Sequence, residues 1–122
     1  MLMSKDVLTV DKDRTIIDAI EIMRKNRVGR LPVVDKELEG IVSTRDIIYF
    51  LCSRRIDEVN PSHIHVSTVM KEDPITVKED VDSIDALRIM LRENIGGIPV
   101  VNGKLKGIIT TVSYTHLTLP TN

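Results

Sequence analysis

The sequence predicts an α/β (α+β) fold built from two β-α-β-β-α repeats that pack with pseudo-two-fold symmetry. The first observation is an internal repeat, because residues 2–46 aligned without gaps on residues 69–113 give 18 identities in 45 positions. The second is the order of patterns in both copies, from a β-prone segment through an amphipathic helix to two apolar strands. The third is the length of 122 residues, enough for two units of about 50 residues that are each marginal alone.

Each repeat begins with a short β-prone segment and a helix. The β-prone segments lie around Leu8–Val10 and Ile75–Val77. Apolar residues then recur at the spacing of a helix with one buried face. They are Ile17, Ile20 and Met23 in the first copy and Ile84, Leu87 and Met90 in the second.

The expected ends of these helices also follow from residue types. Two pairs of residues are placed to cap the helix starts. They are Thr15 with Asp18, and Asp82 with Asp85. Gly29 and Gly96 follow the helices, where a left-handed residue costs glycine little.

The remaining elements are two strands and a second helix. LPVV and IPVV are predicted as buried strands because they are too short and too β-branched for helices. The turn-like segments VDKELEG and VNGKLKG lead into second strands, GIVS and GIIT. A helix is predicted from Ser43, with Ile47, Ile48 and Leu51 facing inward.

The repeats divide the chain into four parts. We expect repeat one at 1–52, a connector at 53–68, repeat two at 69–111 and an atypical tail at 112–122. The tail, VSYTHLTLPTN, is Thr-rich and contains Pro120, so it does not match the second helix of repeat one. Repeat two is therefore expected to be truncated or altered at its C-terminal helix, and the tail to be non-native.

Composition excludes several classes of function. The net charge of −1 and the near absence of aromatic residues disfavour nucleic-acid and membrane partners. The single cysteine, Cys52, indicates a reducing, cytoplasmic location and is expected to be a buried structural thiol. His63 and His65 have no third ligand nearby, so no metal site is predicted. No catalytic constellation is found, and the chain is not expected to be an enzyme.

The repeated strings resemble a known family. TV…IDAIEIMRKNRVGRLPVVD…LEGIVSTRDI and ITV…SIDALRIMLRENIGGIPVVN…LKGIIT are similar to a tandem pair of cystathionine-β-synthase (CBS) domains, or Bateman module. The resemblance covers roughly residues 1–111. It implies two clefts, each drawing on both repeats, and an adenosine-containing ligand such as AMP, ADP, ATP, S-adenosylmethionine or NADH. It also implies a regulatory sensor, for example of cellular energy, that dimerises; no other cofactor is required.

The residues themselves favour an anion and ribose site where the second strand of repeat one meets its second helix. The first amides and the dipole of a helix favour anions. Ser43 and Thr44 add hydroxyl donors, and the Asp46 carboxylate can accept both hydroxyls of a ribose. In the resembled family this Asp holds the ribose and the Ser/Thr lies near phosphate. Ser43 and Asp46 are also spaced as a plain N-terminal cap of the helix, a structural role that is compatible with ligand binding.

The two clefts are expected to be unequal. Arg30 offers donors for a phosphate, as the resemblance implies, or is a solvated charge at a helix end. In repeat two Gly97 replaces Arg30, and Ser113 replaces Asp46, although Thr110 keeps the hydroxyl of Ser43. The Asp46 cleft is therefore predicted to bind more tightly.

The resemblance adds contacts from repeat two to the Asp46 cleft. They are the segment Ile75, Thr76 and Val77 and the segment Gly97, Ile98 and Pro99, which would sandwich an adenine.

Two functions are carried forward. The first is a non-catalytic module that binds an adenosine nucleotide and signals to a separate effector protein, and the resemblance implies that it is a homodimer. The second is a structural dimerisation or interaction module with vestigial clefts, which the loss of the repeat-two Asp favours.

Overall fold

The computed structural model of the chain describes residues 3–4, 8–54 and 60–110. In chain order the elements are β1 (Met3–Ser4), β2 (Val10–Asp11), α1 (Ile16–Asn26), β3 (Arg30–Asp35), β4 (Glu37–Ser43), α2 (Thr44–Cys52), a 3-10 turn (Pro61–His63), α3 (Val66–Val69), β5 (Lys71–Glu72), β6 (Val77–Lys78), α4 (Ser83–Glu93), β7 (Gly97–Asn102) and β8 (Lys104–Thr110). The chain forms two compact units. The N-terminal unit is Leu8–Pro74, and the C-terminal unit combines Met1–Val7 with Ile75–Asn122.

The N-terminal unit contains a four-stranded sheet in the order β2-β3-β4-β5. β2 runs parallel to β3, and the other two pairs are antiparallel. The β3–β4 turn passes through Lys36 in the left-handed region, as the turn prediction for VDKELEG requires. β5 closes the sheet although it follows the connector in sequence.

The C-terminal unit repeats this plan with the order β1-β8-β7-β6. β6 is parallel to β7, and β8 pairs antiparallel with both β7 and β1. β1 comes from the start of the chain. Each sheet is thus completed by a two-residue strand from the segment before the other repeat. β1, which precedes repeat one, completes the C-terminal sheet, and β5, which precedes the rest of repeat two, completes the N-terminal sheet. The repeat alignment alone does not reveal this exchange.

The predicted mixed α/β (α+β) class is confirmed, with a separate apolar core in each unit. Helix residues pack on the β-branched centres of β3 and β4 or of β7 and β8. In the N-terminal unit the buried residues are Val10, Ile16, Ala19, Met23, Leu31, Val33, Val42, Ile47 and Val66. In the C-terminal unit they are Val77, Ala86, Met90, Ile98, Val100 and Ile109. Val66 belongs to the connector, which therefore contributes to a core.

Three predicted inward positions are wrong. Ile17, Ile84 and Ile48 are 40%, 55% and 59% exposed. In α1 the buried face runs through Ile16, Ala19 and Met23 instead, at i, i+3 and i+7. Because isoleucines occupy adjacent positions 16 and 17, the apolar spacing fits two neighbouring faces, and packing selects one.

At the helix ends, one predicted capping pair is confirmed, the other is wrong in part, and the left-handed residues lie at other positions than predicted. Thr15 and Asp18 form a reciprocal capping box at α1, whereas Asp82 caps α4 by accepting from the Ile84 amide, without a box. The left-handed residues are Arg27 and Asn94, both at φ 55°, and not Gly29 and Gly96. Both helices end two residues earlier than predicted.

Two further expectations meet the structure differently. Cys52 is exposed, because it lies at the last turn of α2 away from the core, so the prediction of a buried thiol is wrong. The expectation for the tail lies outside the described residues. Within the described part of the chain, no helix is long and apolar enough to cross a membrane, and no three His, Cys, Asp or Glu side chains cluster as metal ligands.

Candidate functional site

The start of α2 is closed by a reciprocal capping box. The Ser43 hydroxyl accepts from the Asp46 amide at 3.1 Å, and Asp46 Oδ2 accepts from the Ser43 amide at 3.2 Å. Ser43 is extended, as an N-cap residue must be, because β4 ends there. The capping arrangement expected from the sequence is therefore confirmed, and it occupies one oxygen of the Asp46 carboxylate.

The second carboxylate oxygen of Asp46 faces a lysine of β5. Lys71 Nζ lies 3.7 Å from Asp46 Oδ1. The Asp46 side chain is 17% exposed and that of Lys71 is 70% exposed. A ligand hydroxyl that donates to this oxygen therefore binds beside the Lys71 ammonium.

Arg30 begins β3 directly opposite Ser43 in the β3–β4 ladder. Its side chain is half-buried. Burial lowers the pKa of the Arg30 guanidinium, the negative charge of Asp46 offsets part of this shift, and the positive charge of Arg45 adds to it. Arginine stays protonated at neutral pH regardless. Arg30 and Lys71 thus place two cations beside the Asp46 carboxylate, and Arg45 adds positive charge near Arg30.

The backbone amides at the start of α2 contribute less to anion binding than the sequence suggested. The Thr44 amide donates to the Gly29 carbonyl at 3.0 Å. The Asp46 amide is engaged by Ser43. Because two of the first three amides already have partners inside the unit, attraction for an anion must come chiefly from side chains.

The predicted residues of repeat two occupy the C-terminal unit. Gly97 starts β7 and is paired with Thr110, at the end of β8, as Arg30 is paired with Ser43. Ile98 and Pro99 are fully buried, so their side chains serve the core. Val77, in β6, is also buried.

Two further predicted residues precede β6. Ile75 is 39% exposed and Thr76 is also exposed. Ile75 therefore offers an apolar side chain to solvent. Ser113 lies outside the described residues.

The structure brings together four of the predicted residues, Arg30, Ser43, Thr44 and Asp46, at one end of the N-terminal sheet. Sequence reasoning missed Lys71. The repeat alignment pairs it with Ser4, which gives no sign of a shared role. Only the pairing of β5 with β4 shows that Lys71 approaches Asp46.

Comparison with known proteins identifies the family. The sequence profile of the CBS domain matches residues 1–53 and again residues 66–112. The chain belongs to the CBS domain family. A CBS domain-containing protein of Dictyostelium discoideum is 34% identical over 119 residues, which cover 89% of this chain and 82% of that protein.

Other members are larger or are known as structures. Inosine-5'-monophosphate dehydrogenase of Methanocaldococcus jannaschii is 36% identical over 110 residues, covering 87% of this chain but only 20% of the dehydrogenase. The CBS domain pair of protein MJ0100, solved with 5'-methylthioadenosine and S-adenosyl-L-methionine, is 28% identical with a TM-score of 0.81. That match covers 94% of this chain and 93% of the other. The fold is that of a CBS domain pair.

Proposed function

We propose that this CBS domain protein is a non-catalytic regulatory module that binds an adenosine-containing nucleotide and signals to a separate effector protein. The ligand class is AMP, ADP, ATP, S-adenosylmethionine or NADH. The residues proposed to hold its ribose and phosphate are Asp46, Ser43, Thr44 and Arg30. Ile75, Thr76, Val77, Gly97, Ile98, Pro99 and Thr110 remain predicted contacts, with Ile98 and Pro99 acting through their backbone.

The observation that carries this proposal is the environment of Asp46. Its Oδ2 is fixed by the Ser43 amide, which leaves Oδ1 as the acceptor for a ribose hydroxyl. The half-buried Arg30 starts its strand across the ladder from Ser43 and supplies a fork of donors for phosphate. A carboxylate for the sugar thus lies beside a guanidinium for the anion.

The relatives support the same class of ligand. The MJ0100 domain pair was solved with two adenosyl compounds, and it matches this chain over nearly its full length. The match to inosine-5'-monophosphate dehydrogenase covers a fifth of that enzyme. This supports a module that accompanies other domains or proteins.

The capping box of α1 provides a matched control for Asp46. Asp18 makes the same box with Thr15, at 3.2 and 3.3 Å, in the same unit. Asp46→Ala and Asp18→Ala should each cost about 0.5–1.5 kcal/mol of unfolding free energy, because each removes the hydrogen bond that the N3 carboxylate accepts from the N-cap amide. Only Asp46→Ala should also weaken ligand binding, by about 1–3 kcal/mol.

A thermal-shift panel measures both effects. Ligand at 100 times its dissociation constant stabilises by about 2.7 kcal/mol, which raises the melting temperature by several degrees. We expect at least one of the five ligands to do this for the wild type and for Asp18→Ala, and much less for Asp46→Ala. If none of the five shifts the wild type, or if both variants lose the shift equally, the proposal fails.

Exposed apolar side chains favour a second candidate function, a structural dimerisation or interaction module. Tyr49 on α2 is 78% exposed and Leu91 on α4 is 82% exposed in the single chain. Large apolar residues in solvent are often covered by a partner. Light scattering should then report a homodimer, and a stable monomer at high concentration would exclude this assembly.

A further inference from the structure

Lys71 is not among the residues predicted for the site, yet its side chain lies beside the Asp46 oxygen that the capping box does not use. Its ammonium lies 3.7 Å from Asp46 Oδ1 and is largely exposed to solvent. A ligand hydroxyl that binds Oδ1 must share this oxygen with Lys71 or displace it. The effect on ligand affinity depends on whether the ligand carries an anionic group that can pair with the Lys71 ammonium.

The backbone of Lys71 is held firmly beside the start of α2. β5 pairs with β4 through Lys71 opposite Ile41 and Glu72 opposite Gly40. At Gly40 an added Cβ would lie only 2.6 Å from the Lys71 carbonyl oxygen. The close approach fixes the Lys71 Cα, while four rotatable bonds let its exposed ammonium move.

Charge at this position favours an anion. The Arg30 guanidinium lies within the electrostatic range of both Asp46 and Arg45, and the Lys71 ammonium lies 3.7 Å from the Asp46 carboxylate. The acidic neighbour Glu72 follows Lys71 in the strand, and successive strand residues point to opposite faces. Two cationic side chains, Arg30 and Lys71, therefore act on the single carboxylate of Asp46.

We propose that Lys71 is a specificity-determining residue that selects phosphate-bearing adenosyl ligands over neutral or cationic ones. This inference rests on the proposed adenosyl site. A phosphate gives the displaced ammonium a new partner, so the loss of its contact with Asp46 is compensated. Adenosine and 5'-methylthioadenosine provide no such partner, and S-adenosylmethionine, with a sulfonium and an ammonium against one carboxylate, carries a net positive charge that repels the lysine.

The test compares AMP with adenosine, which differ only in the phosphate. Lys71→Met keeps the aliphatic stem and removes the charge, and Lys71→Arg keeps the charge. Lys12→Met is the matched control, because Lys12 also pairs with an aspartate, Asp35, at 2.9 Å but at the opposite end of β3 from Arg30. Titration calorimetry gives both dissociation constants for each protein.

We expect Lys71→Met to weaken AMP about fivefold, the scale of an exposed ion pair, and to leave adenosine unchanged or tighter. Lys71→Arg should keep most of the wild-type AMP-to-adenosine ratio, and Lys12→Met all of it. The preference should also shrink as salt is raised.

Two results would overturn the inference. An unchanged AMP-to-adenosine ratio in Lys71→Met, with both compounds still bound, would remove the role of Lys71 and leave the proposed function standing. Failure of the wild type to bind AMP or any of the other four proposed ligands would remove both.

Discussion

At the scale of single residues, the two capping boxes of the N-terminal unit show how environment separates structure from function. Thr15 with Asp18 and Ser43 with Asp46 have the same hydrogen bonds. Only Asp46 has a lysine at its second oxygen and an arginine across the adjoining ladder. The same local pattern therefore stabilises a helix at one place and is proposed to bind a ligand at the other.

Gly40 is the residue on which the approach of β5 depends. Gly40→Ala would place a methyl group 2.6 Å from the Lys71 carbonyl oxygen and 2.8 Å from Met70 Sδ. We expect a loss of about 1–3 kcal/mol in the free energy of unfolding, because β5 must move away from β4. Urea unfolding followed by circular dichroism measures this loss.

Gly29→Ala is the control for that substitution. The nearest atom to its added Cβ would be Thr44 Oγ1 at 4.0 Å. Since Gly29 does not have a positive φ, alanine should be neutral or stabilise by up to about 1 kcal/mol. Equal stability of the two variants would show that β5 is not held by this close contact.

At the scale of elements, the ends of α1 and α4 share one C-terminal motif. The Val28 amide donates to the Met23 carbonyl, and the Ile95 amide to the Met90 carbonyl, both at 3.0 Å. This pattern requires a left-handed residue at the position before, filled here by Arg27 and Asn94. The glycines two residues later begin the approach to the next strand instead.

A glycine at the first of these positions should stabilise the protein. Arg27 has φ 55°, where a side chain costs about 1 kcal/mol that glycine avoids. We expect Arg27→Gly to raise the melting temperature, and Asn94→Gly to raise it less, because asparagine tolerates this conformation better. Differential scanning calorimetry measures the melting temperatures of the two variants. A melting temperature of Arg27→Gly at or below that of the wild type would contradict the expected gain.

The helices and strands also show which features can be predicted from local sequence and which depend on packing. The strands β3, β4, β7 and β8 and the box at Thr15 follow from local chemistry, and they were predicted. The exposed Ile17 and Ile48 were not, because adjacent apolar residues fit two helix faces and only packing chooses between them. Cys52 was misplaced for the same reason.

At the scale of the whole molecule, the internal repeat predicted the plan of both units but not how the chain is shared between them. β5 precedes the C-terminal repeat in sequence but closes the sheet of the N-terminal unit, and β1 precedes the N-terminal repeat but closes the sheet of the C-terminal unit. Strand exchange depends on long-range pairing of two-residue segments, which leaves no periodic signal. Lys71 was missed in the site for that reason.

Whether an adenosyl ligand is held at Asp46 is measured most directly by amide chemical shifts, in a titration with whichever of the five proposed ligands raises the melting temperature. We expect the largest shifts at Ser43–Asp46 and Arg30, while the equivalent box at Thr15–Asp18 stays unchanged. Binding of that ligand without shifts at the start of α2 would show that Asp46 does not hold it.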